Sequence, residues 1–304
     1  MTTNAPIARL AEAAGTFFAS RAGGLEHPTD LSDLLVIGSR HPTRLEPMLY
    51  EPSFCLIVQG AKSVQVGRTE IRLAAGDAIV VSHHQPVLAK VTDATSHKPF
   101  LALAFSLDLS LLHQLREEIG PEESVSPAAR SLEHGSADPA LVETASRLFS
   151  LIGRPREARV LAPLVRRELH FRVVEAPQGR TVRALLEHRS QASQVARAIA
   201  ALRRDFTRSL SAAELAKVAG MSESSFYQHF RDTTSTTPLQ YQKSLRLLEA
   251  RRLLTSGSHN VTGAALEVGY QSPSQFSREY SRHFGHPPRH DLPSTDSADA
   301  PPLD

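Results

Sequence analysis

Between positions 54 and 105 the chain runs in short apolar bursts cut by glycine. "FCLIVQG", "KSVQVG", "TEIRLAAGD", "AIVVS", "PVLAKV" and "FLALAFSL" are rich in Val, Ile and Leu, and Gly60, Gly67 and the pair Gly76-Asp77 mark turns between them. "KSVQVG" and "TEIRL" alternate polar and apolar residues, as half-buried strands do. Many short strands at close spacing predict a small barrel or sandwich. After Asp108 the period lengthens. "LSLLHQLREEI", "PALVETASRLFSLI" and "VLAPLVRRELHFRVV" carry apolar residues at helical spacing, Pro155 and Pro177 separate segments, and from Ser193 almost everything reads helical. The tail "LPSTDSADAPPLD" has few large apolar residues and is predicted to be unstructured. The fold class is therefore α+β, with a β-rich first part and an all-α last part.

The helical part contains a repeat. "LAKVAGMSESSFYQHFR" (215–231) aligns with "ALEVGYQSPSQFSREYS" (265–281) at a constant offset of 50, setting Val218 on Val268, Ser222 on Ser272, Phe226 on Phe276 and Phe230 on Tyr280. Each copy predicts a short helix, a glycine turn, a capping serine and a second helix. In the first copy Ser211 and Glu214 form a capping box, Leu215 and Val218 supply the apolar side, and Phe226 and Phe230 anchor the second helix. In the second copy Asn260 caps a helix whose stripe is Val261, Ala265 and Val268. There Ser272 caps the next helix, Pro273 opens it, Gln275 completes a capping box, and Gly285 with Pro287 and Pro288 ends it. Burying the aromatics turns Ser224, Tyr227, Gln228 and Arg231 outward in one copy, and Ser274, Ser277, Arg278 and Arg282 in the other. This is helix-turn-helix logic: a helix with its side chains fits the major groove, Arg bonds guanine bidentately and Gln bonds adenine. Thr237, Pro238 and Gln240 start a helix between the copies that runs to about Leu254, long enough to hold two reading heads about one DNA turn, ~34 Å, apart.

Charge agrees without deciding the matter. The whole chain carries 34 Lys and Arg against 32 Asp and Glu, but residues 197–291 hold 13 against 8, an excess of five, while the remainder is acidic by three. The one cysteine, Cys55, lies within the apolar "FCLIV", so it reads as a buried small hydrophobe; no intramolecular disulfide can form, which fits a reducing cytoplasm. No apolar stretch spans a bilayer, and "MTTNAPIARL" lacks a signal-peptide pattern, so no membrane is expected.

The repeat, the linking "PLQYQKSLRLLEARRLL" and the closing "GYQSPSQFSREYSRHFG" resemble the DNA-binding domain of the AraC/XylS family of transcriptional regulators. The run "LYEPSFCLIVQGAKSVQVG…AAGDAIVVS" is similar to the cupin-like regulatory domain of one branch of that family. The resemblance implies a cupin-like N-terminal β-barrel with following helices (1–150), a helical linker (151–192), a tandem helix-turn-helix domain (193–291) and the tail (292–304). It implies a one-component, effector-responsive regulator, not an enzyme, with double-stranded promoter DNA as partner. An unidentified small-molecule effector is implied too, with RNA polymerase and a second copy of the chain as further candidates. Carried over by position, Ser224, Tyr227 and Gln228 in the first helix, and Ser274, Ser277 and Arg278 in the second, face bases. Arg231 and Arg282 fall nearer the phosphates. Two residues depart from the family pattern. Gln228 stands where many relatives place Arg, and Ser235 replaces the glycine after the first recognition helix, which predicts a looser helix end.

The alternative is a metal-dependent cupin enzyme with a helical appendage. It needs a His-x-His set with a carboxylate and a later His. The chain offers adjacent His83 and His84, whose side chains would point to opposite faces of a strand, so they are expected on a loop or rim; His41 and His97 join them only through the fold. No cofactor or metal is expected. No G-x-S-x-G elbow appears, and a DNA-alkylation repair protein with a similar DNA-binding half needs reactive cysteines that this chain lacks.

Overall fold

The computed structural model describes residues 5–21, 23–120, 130–187 and 190–293. Helix α1 (Ala5–Ala19) precedes β1 (Glu26–Pro28), β2 (Leu34–Ser39), β3 (Glu46–Tyr50), β4 (Ser53–Gln59), β5 (Ala61–Val66), β6 (Thr69–Ala74), β7 (Asp77–Val81), β8 (Gln85–Asp93) and β9 (Phe100–Ser106). Helix α2 (Leu109–Ile119), β10 (Leu132–Ser136), α3 (Pro139–Phe149), α4 (Pro155–Glu175) and α5 (Arg180–Leu186) follow. The remaining helices are α6 (Gln191–Arg204), α7 (Ala212–Ala219), α8 (Glu223–Thr234), α9 (Pro238–Thr255), α10 (Val261–Glu267) and α11 (Pro273–Phe284), with a 3-10 turn at Pro288–Asp291. None of these helices is long and apolar enough to cross a membrane.

The strands form two antiparallel sheets, one ordered β1-β2-β9-β4-β7-β10 and the other β3-β8-β5-β6. The central strands of the larger sheet, β4, β7 and β9, are buried on both faces, which is why "FCLIV" is continuously apolar and does not alternate. Phe54, Leu56 and Val58 point to a core shared with α1, α3 and α4, while Cys55 and Ile57 point between the two sheets. Cys55 is buried, as its apolar setting predicts. The outer sheet is half-solvated and β6 shows it, with a burial pattern of alternating Ile71 and Leu73 between exposed neighbours.

The six strands expected between 54 and 105 are present, and the three helices expected after Asp108 correspond to α2, α3 and α4. Helix α1, strands β1 to β3 and β10 were not expected. The α1 stripe of Ile7, Leu10, Ala14 and Phe18 is legible at helical spacing, but β1 has three residues and β3 contains Pro47, so neither carries a strand pattern of its own. His83 and His84 lie on the loop between β7 and β8, consistent with the rim reading, although His83 is buried and not exposed. From residue 294 onward the tail expected to be unstructured lies outside the described residues. Leu292, assigned to that tail, packs on the core of the second helical unit.

Candidate nucleic-acid interface

Each half of the repeat folds as a short helix, a turn and a longer helix. Ser211 Oγ accepts from Glu214 N at 3.2 Å and the Glu214 carboxylate accepts from Ser211 N at 2.8 Å, completing the capping box that caps α7. The Ser211 backbone N–H, with the Arg208 guanidinium, holds the Glu214 carboxyl down at about 2. Gly220 ends α7 in the left-handed region at φ 71°, and Ser222 caps α8 through Ser225 N. Phe226 and Phe230 are fully buried, their ring centroids 5.4 Å apart, and Tyr241 of α9 meets Phe230 edge-on at 5.5 Å. In the second half Asn260 Oδ1 caps α10 at Gly263 N, 2.8 Å, Ser272 caps α11 at Gln275 N, 3.3 Å, and Phe276 and Tyr280 repeat the buried pair at 5.4 Å.

Three details correct the sequence reading. The offset is not constant. The second helices superpose at 50, but the first helices superpose at 49, because buried Leu215, Ala216 and Ala219 correspond to buried Ala264, Ala265 and Val268, and left-handed Gly220 to left-handed Gly269. Gln271 is an extra residue in the second turn. For that reason Val218, paired with Val268 by a constant offset, is 44% exposed while Val268 is fully buried. The second capping box is half made, since the Gln275 side chain donates to Glu279 Oε1 at 3.2 Å and does not reach back to the cap. Ser235, in place of the family's glycine, itself adopts the left-handed conformation (φ 58°) and its N–H still closes α8 on Arg231 O at 2.8 Å.

The linking helix α9 has 18 residues, about 27 Å at 1.5 Å each. Two of its side chains, absent from the sequence reading, hold the halves together. Arg246 Nε donates to Phe206 O at 2.7 Å, Nη2 to Thr207 O at 2.9 Å and Nη1 to Gly269 O at 3.4 Å. Gln242 Nε2 donates to Phe206 O at 3.0 Å and to Arg208 O. Phe206 packs on both helical cores. The loop before α7 and the turn before α11 are thereby tied to one helix.

The outward face is polar and unpaired. Ser224, Tyr227, Gln228, Arg231, Ser274, Arg278 and Arg282 are exposed and Ser277 is half-buried. Among the described residues, none of these eight side chains makes a hydrogen bond or ion pair. Five other arginines of this region are paired internally, Arg197 with Ala219 O, Arg204 with Asp205, Arg208 with Glu214, Arg251 with Glu46 and Arg252 with Glu249, whereas Arg289 is exposed and unpaired among the described residues. Among the described residues, Arg231, Arg278 and Arg282 stand unpaired on α8 and α11, and α8 also carries unpaired Glu223 and Asp232. Arg282 differs from Arg278 in lying at a crevice shared with Gln65, Met48 and Gln85 of the barrel.

The barrel docks against the C-terminal end of α8 and against α9. Ser131 N donates to Thr233 O and Gln85 Nε2 to Thr234 O, both at 3.0 Å, so the barrel grips the C-terminal end of α8. Tyr241 Oη donates to His84 O, Arg203 Nη1 contacts His84 Nδ1 at 3.1 Å, and Arg251 pairs with Glu46 at 2.8 Å. Burial together with the neighbouring Arg203 pushes His84 down to about 4, and burial together with His84 does the same for His83, so both are neutral at pH 7. Neither His41 nor His97 is buried with them.

Inside the barrel is a cavity of about 400 Å³ walled by Ile37, Met48, Ile79, Val81 and Phe100. One charged group enters it from β5: Lys62, buried, with Nζ 3.4 Å from Tyr50 Oη and 3.7 Å from Cys55 Sγ. Burial works against its ammonium, and these two contacts more than offset that, holding its pKa above the ordinary lysine value. A second cavity of about 670 Å³ lies between β3 and α9, against Phe206, Leu245 and Leu248, and shares Met48, Leu49 and Glu51 with the first. Strand β3 is thus a wall of the inner cavity and a contact surface for the helical domain, where Leu49 packs on its first core.

The comparisons agree with this geometry. Residues 30–181, half of the chain, match the AraC-type transcriptional regulator N-terminus, and residues 215–292 match a helix-turn-helix domain. The chain is 42% identical over 71 residues to the RCS-specific HTH-type transcriptional activator RclR of Escherichia coli, which covers 23% of this chain and 25% of that protein. It is 37% identical over 94 residues to a putative AraC-like transcription regulator of Streptomyces lividans, 31% of each. These matches span less than a third of either relative. The thermoregulatory protein LcrF of Yersinia pestis is 23% identical over 76% of this chain and 84% of its own length. ToxT from Vibrio cholerae has the same fold, with a TM-score of 0.56 at 10% identity over 85% of this chain and 97% of ToxT. The chain belongs to the AraC family of transcriptional regulators, with an AraC-type N-terminal domain joined to a helix-turn-helix DNA-binding domain.

Proposed function

We propose that the protein is a sequence-specific, effector-responsive regulator that lays α8 and α11 into successive major grooves of promoter DNA. One observation carries the reading: on the two helices that a helix-turn-helix places in the groove, Ser224, Tyr227, Gln228, Arg231, Ser274, Ser277, Arg278 and Arg282 make no hydrogen bond or ion pair within the protein among the described residues. Ser224, Tyr227, Gln228, Ser274, Ser277 and Arg278 then face base edges, and Arg231 and Arg282 lie toward phosphates. Such a protein works in the cytoplasm, where the promoter is. Its relatives are regulators, which favours this reading over a metal-dependent barrel enzyme.

The test is selection of random duplexes by the full-length protein at moderate salt, with sequencing of the bound pool. Two short boxes about one turn, ~34 Å, apart support the reading; no enrichment by folded protein, with or without ligand, sinks it. Arg278→Ala is expected to weaken the selected site by about 1–3 kcal/mol and to relax preference at one base pair. Weakening that is uniform over all sequences would reassign Arg278 to a phosphate.

The effector enters through the barrel. Lys62 is a buried cation that forms no ion pair among the described residues, so a carboxylate ligand would supply one. A largely apolar cavity with one buried ammonium, lined also by Glu26, Glu51 and Lys90, suits a small apolar monocarboxylate, and its volume falls in the usual range for ligand pockets, ~300–1,000 Å³. ToxT has been solved bound to an unsaturated fatty acid and to a naphthalenyl butenoic acid, both carboxylates. Binding shifts the population toward one placement of β3 against α9. Decanoate is expected to raise the melting temperature of the wild-type protein and not that of Lys62→Met. Equal stabilisation of both proteins, or of the wild type by decanol, would rule out recognition of the carboxylate by Lys62.

A further inference from the structure

Among the described residues one cluster of metal-ligating side chains stands outside everything used above: His286, His290 and Asp291, whose candidate ligand atoms all lie within 4.8 Å of one another. The sequence builds it locally. Gly285 ends α11 at φ 79°, Pro287 and Pro288 cannot continue the helix, and the 3-10 turn they start carries His290 back over His286. The two imidazole centroids are 4.5 Å apart. Asp291 lies beside both rings, with Oδ2 3.8 Å from His286 Nδ1 and Oδ1 3.9 Å from His290 Nδ1. Those separations are too long for hydrogen bonds. For the free oxygen, Oδ1, the separation from His290 Nδ1 is near the ~3.3–3.5 Å between tetrahedral ligands each bonded at about 2.0–2.1 Å, and His286 Nδ1 has only a long contact of 3.4 Å with Pro287 O to give up.

The carboxylate is also oriented as a ligand is. Tyr280 Oη donates to Asp291 Oδ2 at 2.5 Å and Arg251 Nε lies 3.5 Å from the same oxygen, whereas Oδ1 accepts no hydrogen bond among the described residues. One oxygen is anchored and the other is free, the arrangement in which outer partners fix a coordinating group. The Arg251 charge opposes a cation, but Arg251 is already paired with Glu46 at 2.8 Å. His290 is exposed and His286 half-buried, so a hydrated ion has access.

We propose that His286, His290 and Asp291 bind a divalent transition-metal cation, with Zn²⁺ the best match and water in the fourth position. Two imidazoles and one carboxylate form a donor set that suits Zn²⁺ and is poor for Ca²⁺ or Mg²⁺, which take oxygen ligands. The bound ion ties the 3-10 turn to the end of the second recognition helix, so occupancy stabilises the second half of the DNA-binding domain.

The test uses EDTA-dialysed full-length protein titrated with ZnCl₂ by calorimetry, with Co²⁺ absorption as a second readout. A single saturable site is expected, with a tetrahedral Co²⁺ visible band. His290→Ala and His286→Ala, which remove exposed or half-buried rings, are each expected to keep the apo melting temperature and to weaken binding by at least about tenfold, as even outer-sphere losses do. No saturable binding, an octahedral Co²⁺ spectrum, or a site that both variants leave intact overturns the assignment. The last result would place the ion on others of the chain's 14 histidines.

Discussion

Gly269→Ala is expected to unfold the second helix-turn-helix and abolish two-box DNA binding. Gly269 has φ 88°, and a Cβ built there meets Thr207 O at 1.9 Å and Thr207 C at 2.8 Å. The obstacle is backbone, and Arg246 holds that backbone in place by donating to Thr207 O. Left-handed strain costs about 1–3 kcal/mol and overpacking a similar amount, so the sum is several kcal/mol out of a typical 5–15. Gly220→Ala is the control. It occupies the equivalent position at φ 71°, but its Cβ would meet only Arg197 Nη2, at 3.5 Å. That variant should lose only the conformational part, about 1–2 kcal/mol. Chemical denaturation of both variants decides: equal losses would show that close approach to Thr207 contributes nothing.

Gly269 also marks a limit on what a local sequence pattern carries. Caps, aromatic pairs and the exposed face of each recognition helix were legible because each depends on residues within one or two turns of one another. The one-residue insertion at Gln271 was hidden because the stronger match, in the second helices, imposed its offset on the first; the turn chemistry of Gly220 and Gly269, both left-handed, is the signal that locates it. Lys62 belongs to an alternating strand. It is in phase with Val64 and Val66, which point inward, so the pattern already placed a lysine on the buried face of β5. The spacing of His286 and His290, with Asp291 next to the latter, was likewise visible, but only the 3-10 turn brings the rings together. Nothing local announces that Gln85 and Ser131 of the barrel reach Thr234 and Thr233, because those contacts span more than 100 residues of chain. The same holds for the grip of Arg246 on two distant loops.

Arg246→Ala is expected to separate the two reading heads without destroying either. Its guanidinium supplies the donors for Phe206 O, Thr207 O and Gly269 O, one strap across the loop before α7 and the turn before α11. Burial lowers its pKa from the ordinary arginine value, but the group stays charged at pH 7. Truncation leaves these carbonyls partly unsatisfied, at about 1–3 kcal/mol for a buried acceptor and less where water reaches it, so a loss of ~2–4 kcal/mol is expected. The functional consequence is larger than the stability loss. Two heads on a fixed spacing bind a two-box site with a high effective concentration for the second contact, and freedom between them removes that advantage. Affinity for a two-box duplex should therefore fall toward that for a one-box duplex, which itself changes little. Arg246→Lys should not restore it, because one ammonium cannot reproduce a planar fork that reaches carbonyls on two different loops. Equal weakening on one-box and two-box duplexes would mean that Arg246 contributes stability alone, and that the spacing of the heads is set elsewhere, in the shared packing of Phe206 against both cores.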